Sequence, residues 1–80
     1  MQDLDLELTK ILELLLDVKI KPGDEVKMNN PASWDSYKHI EIIMSLEQQF
    51  NVSFEPQDIP LLTSKKAILE KLSSLLNRDV

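Results

Sequence analysis

The sequence predicts an all-α fold: a four-helix bundle with a long first loop and a short third helix, formed by one domain over residues 1–80. Apolar residues recur at the spacing of one helix face in three stretches of the 80-residue chain, and turn and proline signals separate those stretches. A chain of this length supports one small core. With 42% hydrophobic and 5% aromatic residues, that core should consist mostly of Leu and Ile.

The first predicted helix runs from about residue 3 to residue 18. Acidic residues Asp3, Asp5 and Glu7 fall in its first turns, where negative charge complements the helix dipole. The alternation of its first leucines would suit a strand, but later residues do not continue it. Its buried stripe, at i, i+4, i+7, i+8 and i+11, is predicted to contain Leu4, Leu8, Ile11, Leu12 and Leu15.

A long connection over residues 19–34 follows. Pro22-Gly23 and Asn29-Asn30-Pro31 are turn signals that exclude a continuous helix here. Loops of this length are uncommon in a compact domain unless they are functional or packed against it. The residues expected to pin this loop are Ile20, Val26, Met28 and Trp34.

The second helix is predicted from about Ser36 to Phe50, with Asp35 or Ser36 as its N-cap. At 100° per residue its side chains divide into two faces. Ile43, Leu46 and Phe50 form the predicted core stripe. The other face, which adjoins Ser36, is predicted to carry Tyr37, Ile40, Glu41, Met44 and Glu47.

The last third of the chain contains one short and one longer helical stretch. Pro56 suits the first position of a helix, but Pro60 follows so closely that only about one turn can form. The final helix is predicted from about Ser64 to Leu76, with Asn77 as its C-terminal stop. Its inward residues are predicted to be Ile68, Leu72, Leu75 and Leu76.

The charge and the residue types exclude several classes of function. A net charge of −5 argues against nucleic-acid binding, which requires clustered Lys and Arg, and favours partners with basic surfaces. The chain has no Cys and one His, so neither a metal site nor a catalytic thiol is expected and an enzyme is not predicted. No apolar run approaches the ~20 residues of a membrane span, and Met1-Gln2-Asp3 lacks the basic flank of a signal peptide, so a cytoplasmic protein is expected.

The stretch Trp34-Asp35-Ser36-Tyr37-Lys38-His39-Ile40 places a serine hydroxyl at the start of an amphipathic helix. Backbone N–H groups and the positive dipole end favour a phosphate there. The stretch resembles the Asp-Ser-Leu signature of acyl and peptidyl carrier proteins, and the likeness extends from about residue 3 to residue 76 in the order and spacing of elements.

The resemblance implies the carrier type of four-helix bundle and a 4′-phosphopantetheine group, taken from coenzyme A, on Ser36. It implies as partners a phosphopantetheinyl transferase, an acyl- or aminoacyl-loading ligase or transferase, and a downstream synthase, all serving a monomeric carrier. Partner recognition is assigned to Asp35, Tyr37, Ile40, Glu41, Met44 and Glu47. A cavity that shelters the cargo, or simply tight packing, is expected among Leu46, Phe50, Leu62, Ile68 and Leu72.

Each site residue also has a structural alternative. Ser36 can be an ordinary N-cap, and Asp35 can cap the helix or contact the transferase. Ile40 and Met44 can pack in the core, while the glutamates can be solvated charges, one of them paired with Lys38.

His39 is expected to have a packing or capping role rather than to bind metal. It lies on the core side of the helix, so it is not placed as the base that a nucleophilic serine needs. The alternative function is an unmodified acidic helical protein-interaction module.

Two departures from the family pattern bear on the pathway. Tyr37 replaces the usual Leu, and Lys38-His39 stands where fatty-acid-synthesis carriers tend to be acidic or neutral, which alters the predicted surface. The opening Trp-Asp-Ser-x-x-His-Ile, with Phe-x-Pro-x-Asp-Ile at Phe54 to Ile59, looks more like stand-alone carriers of specialised pathways. A specialised biosynthetic pathway is therefore predicted.

Overall fold

The computed structural model describes residues 3–21 and 23–76 and contains three α-helices and one 3-10 helix. They are α1 (Leu4–Leu16), α2 (Ser36–Phe50), the 3-10 helix Ile59–Leu61, and α3 (Lys65–Leu76). The described ranges contain isolated β-bridges but no strand, which confirms the all-α prediction. Pro22 of the predicted first turn and Asn77, the predicted stop, lie outside the described residues.

Helix α1 begins where the acidic start of the sequence predicts and ends two residues before its predicted end. The Asp3 side chain caps it by accepting a hydrogen bond from the Asp5 N–H at 3.0 Å. Asp17 ends it with a left-handed backbone (φ 56°), its N–H bonded to the Glu13 carbonyl. The fully buried row has a spacing of four residues and consists of Leu4, Leu8, Leu12 and Leu16. Ile11 and Leu15 pack at its side, partly buried.

The long loop packs against the rest of the molecule, as predicted. Ile20, Val26 and Trp34 are buried in the core, and Met28 packs against it. The Met28 N–H donates to the Thr63 carbonyl and the Lys65 N–H to the Val26 carbonyl, both at 2.8 Å. These two bonds join the loop to the start of α3 and satisfy part of its backbone without a helix.

The segment between α2 and α3 differs from the predicted short helix. It forms a turn after Phe54, and then a 3-10 helix of three residues with Pro60 in its first turn. Proline has no N–H to donate and a fixed φ, which suits the first turn of a helix but not its continuation. The helical turn therefore lies at Pro60 rather than at Pro56.

Helix α3 begins at Lys65, and the Oγ of the preceding Ser64 accepts a hydrogen bond from the Ala67 N–H at 3.1 Å. Ile68 and Leu72 are fully buried, and Leu76 packs against the core. The prediction that Leu75 points inward is wrong, because Leu75 is 40% exposed. The core follows the row of residues four apart, and Leu75 lies beside that row.

Candidate functional site

Ser36 is the first residue of α2 and is exposed to solvent. The N-cap is Asp35, whose backbone is extended and whose Oδ1 accepts a hydrogen bond from the Lys38 N–H at 2.8 Å. Of the two predicted candidates for the cap, the structure thus selects Asp35. Among residues 3–21 and 23–76, no group forms a hydrogen bond with the Ser36 hydroxyl, so the capping alternative for Ser36 is wrong.

The start of α2 also presents unpaired backbone donors. Asp35 accepts from Lys38 with its side chain and from the His39 N–H with its carbonyl, at 2.8 Å in each case. The N–H groups of Ser36 and Tyr37 come before the first intrahelical hydrogen bond. Donors at a helix N-terminus favour an anion, so a phosphate on the Ser36 oxygen suits the electrostatics of this end.

Three apolar side chains follow Ser36 on one exposed face of α2. Tyr37 is 82%, Ile40 50% and Met44 63% exposed, which excludes the alternative that Ile40 and Met44 pack in the core. We call this surface the α2 groove; it is an open groove lined by Tyr37, Ile40, Glu41, Met44, Ser45, Glu47 and Gln48. Ser45 and Gln48 were not among the predicted residues of this face. Gln48 lies one helical turn after Met44, and that spacing is the signal that could have found it.

The two glutamates of the α2 groove are not free charges. The Lys38 Nζ lies 2.6 Å from Glu41 Oε1, which confirms the predicted pair. The hydrogen bond with Glu41, assisted by the charges of Glu41 and Asp35, raises the pKa of Lys38. Glu47 accepts a hydrogen bond from the Phe54 N–H at 2.8 Å with its side chain. The face that was predicted to be acidic is therefore partly neutralised.

Glu47 also ends the helix. Its carbonyl accepts from the Asn51 N–H, where Asn51 adopts a left-handed backbone (φ 55°), and from the Val52 N–H at 3.1 Å. Glu47 thus holds the chain that leaves α2, in addition to lining the groove. This structural role was not predicted, because it depends on where Phe54 lies in the fold.

His39 is buried, with 4% of its surface exposed, and occupies the side of α2 opposite the groove residues. The Trp34 Nε1–H donates to its Nδ1 at 3.1 Å, and its Nε2 lies 2.8 Å from the Ile59 carbonyl oxygen. The predicted packing role is confirmed. The prediction that His39 alters the surface charge is wrong, because its ring is turned into the core.

The residues proposed to shelter a cargo lie together in the core. Leu46, Leu62, Ile68 and Leu72 belong to the buried cluster, and Phe50 packs against it. The core stripe of α2 contains one more member than was predicted, since Ile42 is fully buried alongside Ile43.

The described residues present neither a metal site nor a membrane-spanning helix. Within residues 3–21 and 23–76, no group of three or more His, Asp and Glu side chains is arranged to hold a metal ion. No helix in these ranges is long and apolar enough to cross a membrane. Compared with known proteins, the chain matches no family model, and no curated protein is similar to it.

Proposed function

We propose that this protein is an acyl or aminoacyl carrier that holds its substrate as a thioester on 4′-phosphopantetheine attached to Ser36. The observation that carries the proposal is the exposed Ser36, whose hydroxyl has no hydrogen-bond partner in the described residues and stands at the N-terminus of α2. Asp35 caps the helix in its place, so substitution on the Ser36 oxygen leaves the helix start intact.

The residues present fit the attached group. Ser36 Oγ forms the new bond to the phosphorus next to the pantetheine of coenzyme A, the diphosphate P–O bond breaks, and 3′,5′-ADP leaves. The hydroxyl proton passes to a base of the transferase, which also brings the Mg²⁺ that neutralises the diphosphate. The N–H groups of Ser36 and Tyr37 would be available to hold the phosphodiester that remains on the protein. When bound, phosphopantetheine supplies a thiol on a flexible arm, which this chain lacks.

The protein itself does not activate Ser36 in this proposal. A nucleophilic serine needs a base within hydrogen-bond reach. His39 is the only histidine of the chain, and both of its ring nitrogens are engaged, one by Trp34 and one by Ile59. This engagement supports transport rather than catalysis, so that the carrier raises the local concentration of its cargo at successive enzymes.

The α2 groove is proposed as the surface that partners recognise. Its exposed Tyr37, Ile40 and Met44 are apolar anchors next to the attachment point, and Met adapts to several partners. The proposed partners are a phosphopantetheinyl transferase, a loading ligase or transferase for the acyl or aminoacyl group, and a downstream synthase. The net charge of −5 supports protein partners with basic surfaces rather than nucleic acid, and the carrier is proposed to act as a cytoplasmic monomer.

The four-helix bundle of the carrier type is part of the same proposal. A carrier bundle has four helices, and here the 3-10 helix Ile59–Leu61 occupies the position of the short third one, between α2 and α3. The bulky Tyr37 and the Lys38–Glu41 pair next to Ser36 support a specialised pathway rather than fatty acid synthesis. They change the shape and the charge of the surface that a synthase reads.

The test is co-expression with a phosphopantetheinyl transferase of broad specificity, followed by intact-mass spectrometry. The wild type should gain one phosphopantetheine, and Ser36→Ala should gain none. Fragmentation of the modified protein should place the added mass on Ser36.

A known carrier expressed in the same cells serves as the control that the transferase is active. If that control is modified and the wild-type protein is not, the carrier proposal fails. The function that then remains is the unmodified acidic protein-interaction module. An adduct that persists in Ser36→Ala would contradict the assignment of the site.

A further inference from the structure

A buried pair of side chains brackets the attachment site. Trp34 lies two residues before Ser36 and His39 three residues after it, and the two are joined by the hydrogen bond from Trp34 Nε1 to His39 Nδ1 at 3.1 Å. Their rings also stack, with centroids 5.9 Å apart and planes inclined by 26°. Trp34 is fully buried and His39 nearly so. The bond closes a loop of the chain around Ser36, so the backbone between the two residues cannot rotate freely.

Further hydrogen bonds hold Trp34 to the long loop and His39 to the 3-10 helix. The Trp34 N–H donates to the Pro31 carbonyl at 3.0 Å, and the Trp34 carbonyl accepts from the Asn29 N–H at 2.8 Å. His39 reaches the Ile59 carbonyl oxygen at 2.8 Å, at the first residue of the 3-10 helix. The long loop, the start of α2 and the 3-10 helix therefore meet at one imidazole.

Only one form of that imidazole satisfies both neighbours. The indole nitrogen of Trp34 can only donate, so Nδ1 of His39 must accept; the Ile59 carbonyl can only accept, so Nε2 must carry the proton. This is the neutral ring. Protonation would place a second N–H on Nδ1, pointed at the N–H of Trp34, and the hydrogen bond would be lost.

The charged groups on the adjoining segments are engaged elsewhere. The Asp35 carboxylate accepts from the Lys38 N–H at the helix start. Asp58, next to Ile59 in the sequence, forms an ion pair of 3.3 Å with Lys71 of α3. In the described structure the partners of the imidazole are thus an indole N–H and a carbonyl, and no carboxylate hydrogen-bonds with it to favour the charged ring.

We propose that His39 is a positioning residue for Ser36: its neutral ring, held between Trp34 and Ile59, sets the orientation of the first turn of α2 on which transfer to Ser36 depends. The inference rests on the proposed carrier function. It goes further in predicting that the rate of Ser36 modification depends on the hydrogen bonds of a buried residue that never touches the transferred group. Because a shift of about 1 Å in a reacting group can cost up to about a hundredfold in rate, a loosened first turn should slow the transfer.

The experiment measures kcat/KM for phosphopantetheine transfer to the wild type, His39→Gln, His39→Phe and Trp34→Phe. Gln offers an acceptor and a donor but does not titrate, whereas Phe keeps a ring and offers neither. His39→Phe should react about tenfold more slowly than the wild type, and His39→Gln should recover most of that loss. Thermal melts followed by circular dichroism show which variants are folded under the assay conditions.

Rescue by the conservative variant separates positioning from mere stability. A loss of stability alone would follow the thermal melts of the variants, whereas a positioning role predicts that kcat falls in a folded His39→Phe and recovers in His39→Gln, which still offers an acceptor to Trp34 and a donor to the Ile59 carbonyl. Trp34→Phe lacks the indole N–H, so it should also react more slowly than the wild type. Trp34 is the only Trp of the chain, so tryptophan fluorescence reports changes in its surroundings in the His39 variants without any enzyme.

The outcomes are distinguishable. If the wild type accepts no phosphopantetheine while a control carrier does, both the carrier function and this inference fail. If the wild type is modified but a folded His39→Gln reacts as slowly as His39→Phe, the carrier proposal stands and the positioning role is overturned. A folded His39→Phe variant that reacts at the wild-type rate overturns it as well.

Discussion

At the start of α2, two adjacent polar residues have different roles. Asp35 caps the helix through its carboxylate, and Ser36 leaves its hydroxyl in solvent with no hydrogen bond among the described residues. The sequence allows either residue to be the cap, since Asp and Ser are both favoured there. The choice is made by the backbone, because only Asp35 has the extended conformation (φ −98°, ψ −174°) that turns a side chain back onto the first turn.

We expect Asp35→Ala to lower the free energy of unfolding by about 1 kcal/mol, the usual cost of a lost N-cap. Ser36→Ala is the matched neighbour and should change it by less than about 0.5 kcal/mol, as for surface positions in general. Urea denaturation of the unmodified proteins, followed by circular dichroism, measures both. Equal losses in the two variants would mean that Ser36 shares the capping function and is not free for modification.

Helix α2 has one buried face and one exposed face. One face is buried through His39, Ile42, Ile43 and Leu46, and the other carries the α2 groove. Helical periodicity predicts this division because side chains three and four residues apart share a face. It also predicts the Lys38–Glu41 pair, but not that Glu47 accepts from the Phe54 N–H, since that contact depends on the path of the chain after the helix.

We expect Met44→Glu and Ile40→Glu each to lower kcat/KM for phosphopantetheine transfer by about tenfold or more, because binding depends on a few apolar anchors. Both side chains are at least half exposed, so the fold should be retained. The measurement is transfer to Ser36 at fixed transferase concentration, together with a thermal melt of each variant.

Leu14→Glu is the matched control. Leu14 is 83% exposed and lies on α1, outside the α2 groove, so the same change of side chain there should leave transfer at the wild-type rate. Should Met44→Glu and Leu14→Glu behave alike, the groove would not be the recognition surface.

At the scale of the whole molecule, one ion pair joins the first and the last helix. Lys65 Nζ, at the start of α3, lies 2.7 Å from Asp5 Oδ1 in the first turn of α1, and the Lys65 side chain is only 16% exposed. The hydrogen bond from Lys65 is the main cause of a lowered pKa of Asp5; burial opposes it, and the charge of Lys65 and the Thr9 hydroxyl add to it. The pair supplements the apolar contacts between α1 and α3, which both belong to the core cluster.

The lowered pKa of Asp5 fixes the sign of a pH effect. A carboxylate whose folded pKa lies below its unfolded value stabilises the fold above the unfolded value, and that contribution is lost as pH falls through the folded pKa. We therefore expect the stabilisation by the Asp5–Lys65 pair to begin to decline as pH falls below about 4. Because the Asp5 side chain is 49% exposed, it should contribute less than about 1 kcal/mol.

Urea denaturation of the wild type, Asp5→Asn, Lys65→Met and the double variant, at pH 7 and at pH 3, measures the coupling between the two residues. A favourable coupling energy at pH 7 that shrinks at pH 3 is the expected result. Coupling that is the same at both pH values would show that the two side chains interact without the carboxylate charge.

The sequence by itself predicts the all-α class, the approximate bounds of three helices, the packed loop and the place of Ser36 at the start of α2. These depend on local propensity, on apolar spacing and on prolines, all of which act within a few residues. Tertiary structure alone decided that Glu47 holds Phe54, that Leu75 reaches solvent, and that Trp34 and Ile59 contact the same imidazole. The physical reason is that these contacts join residues or backbone segments whose relative positions are set only when the helices and loops pack together.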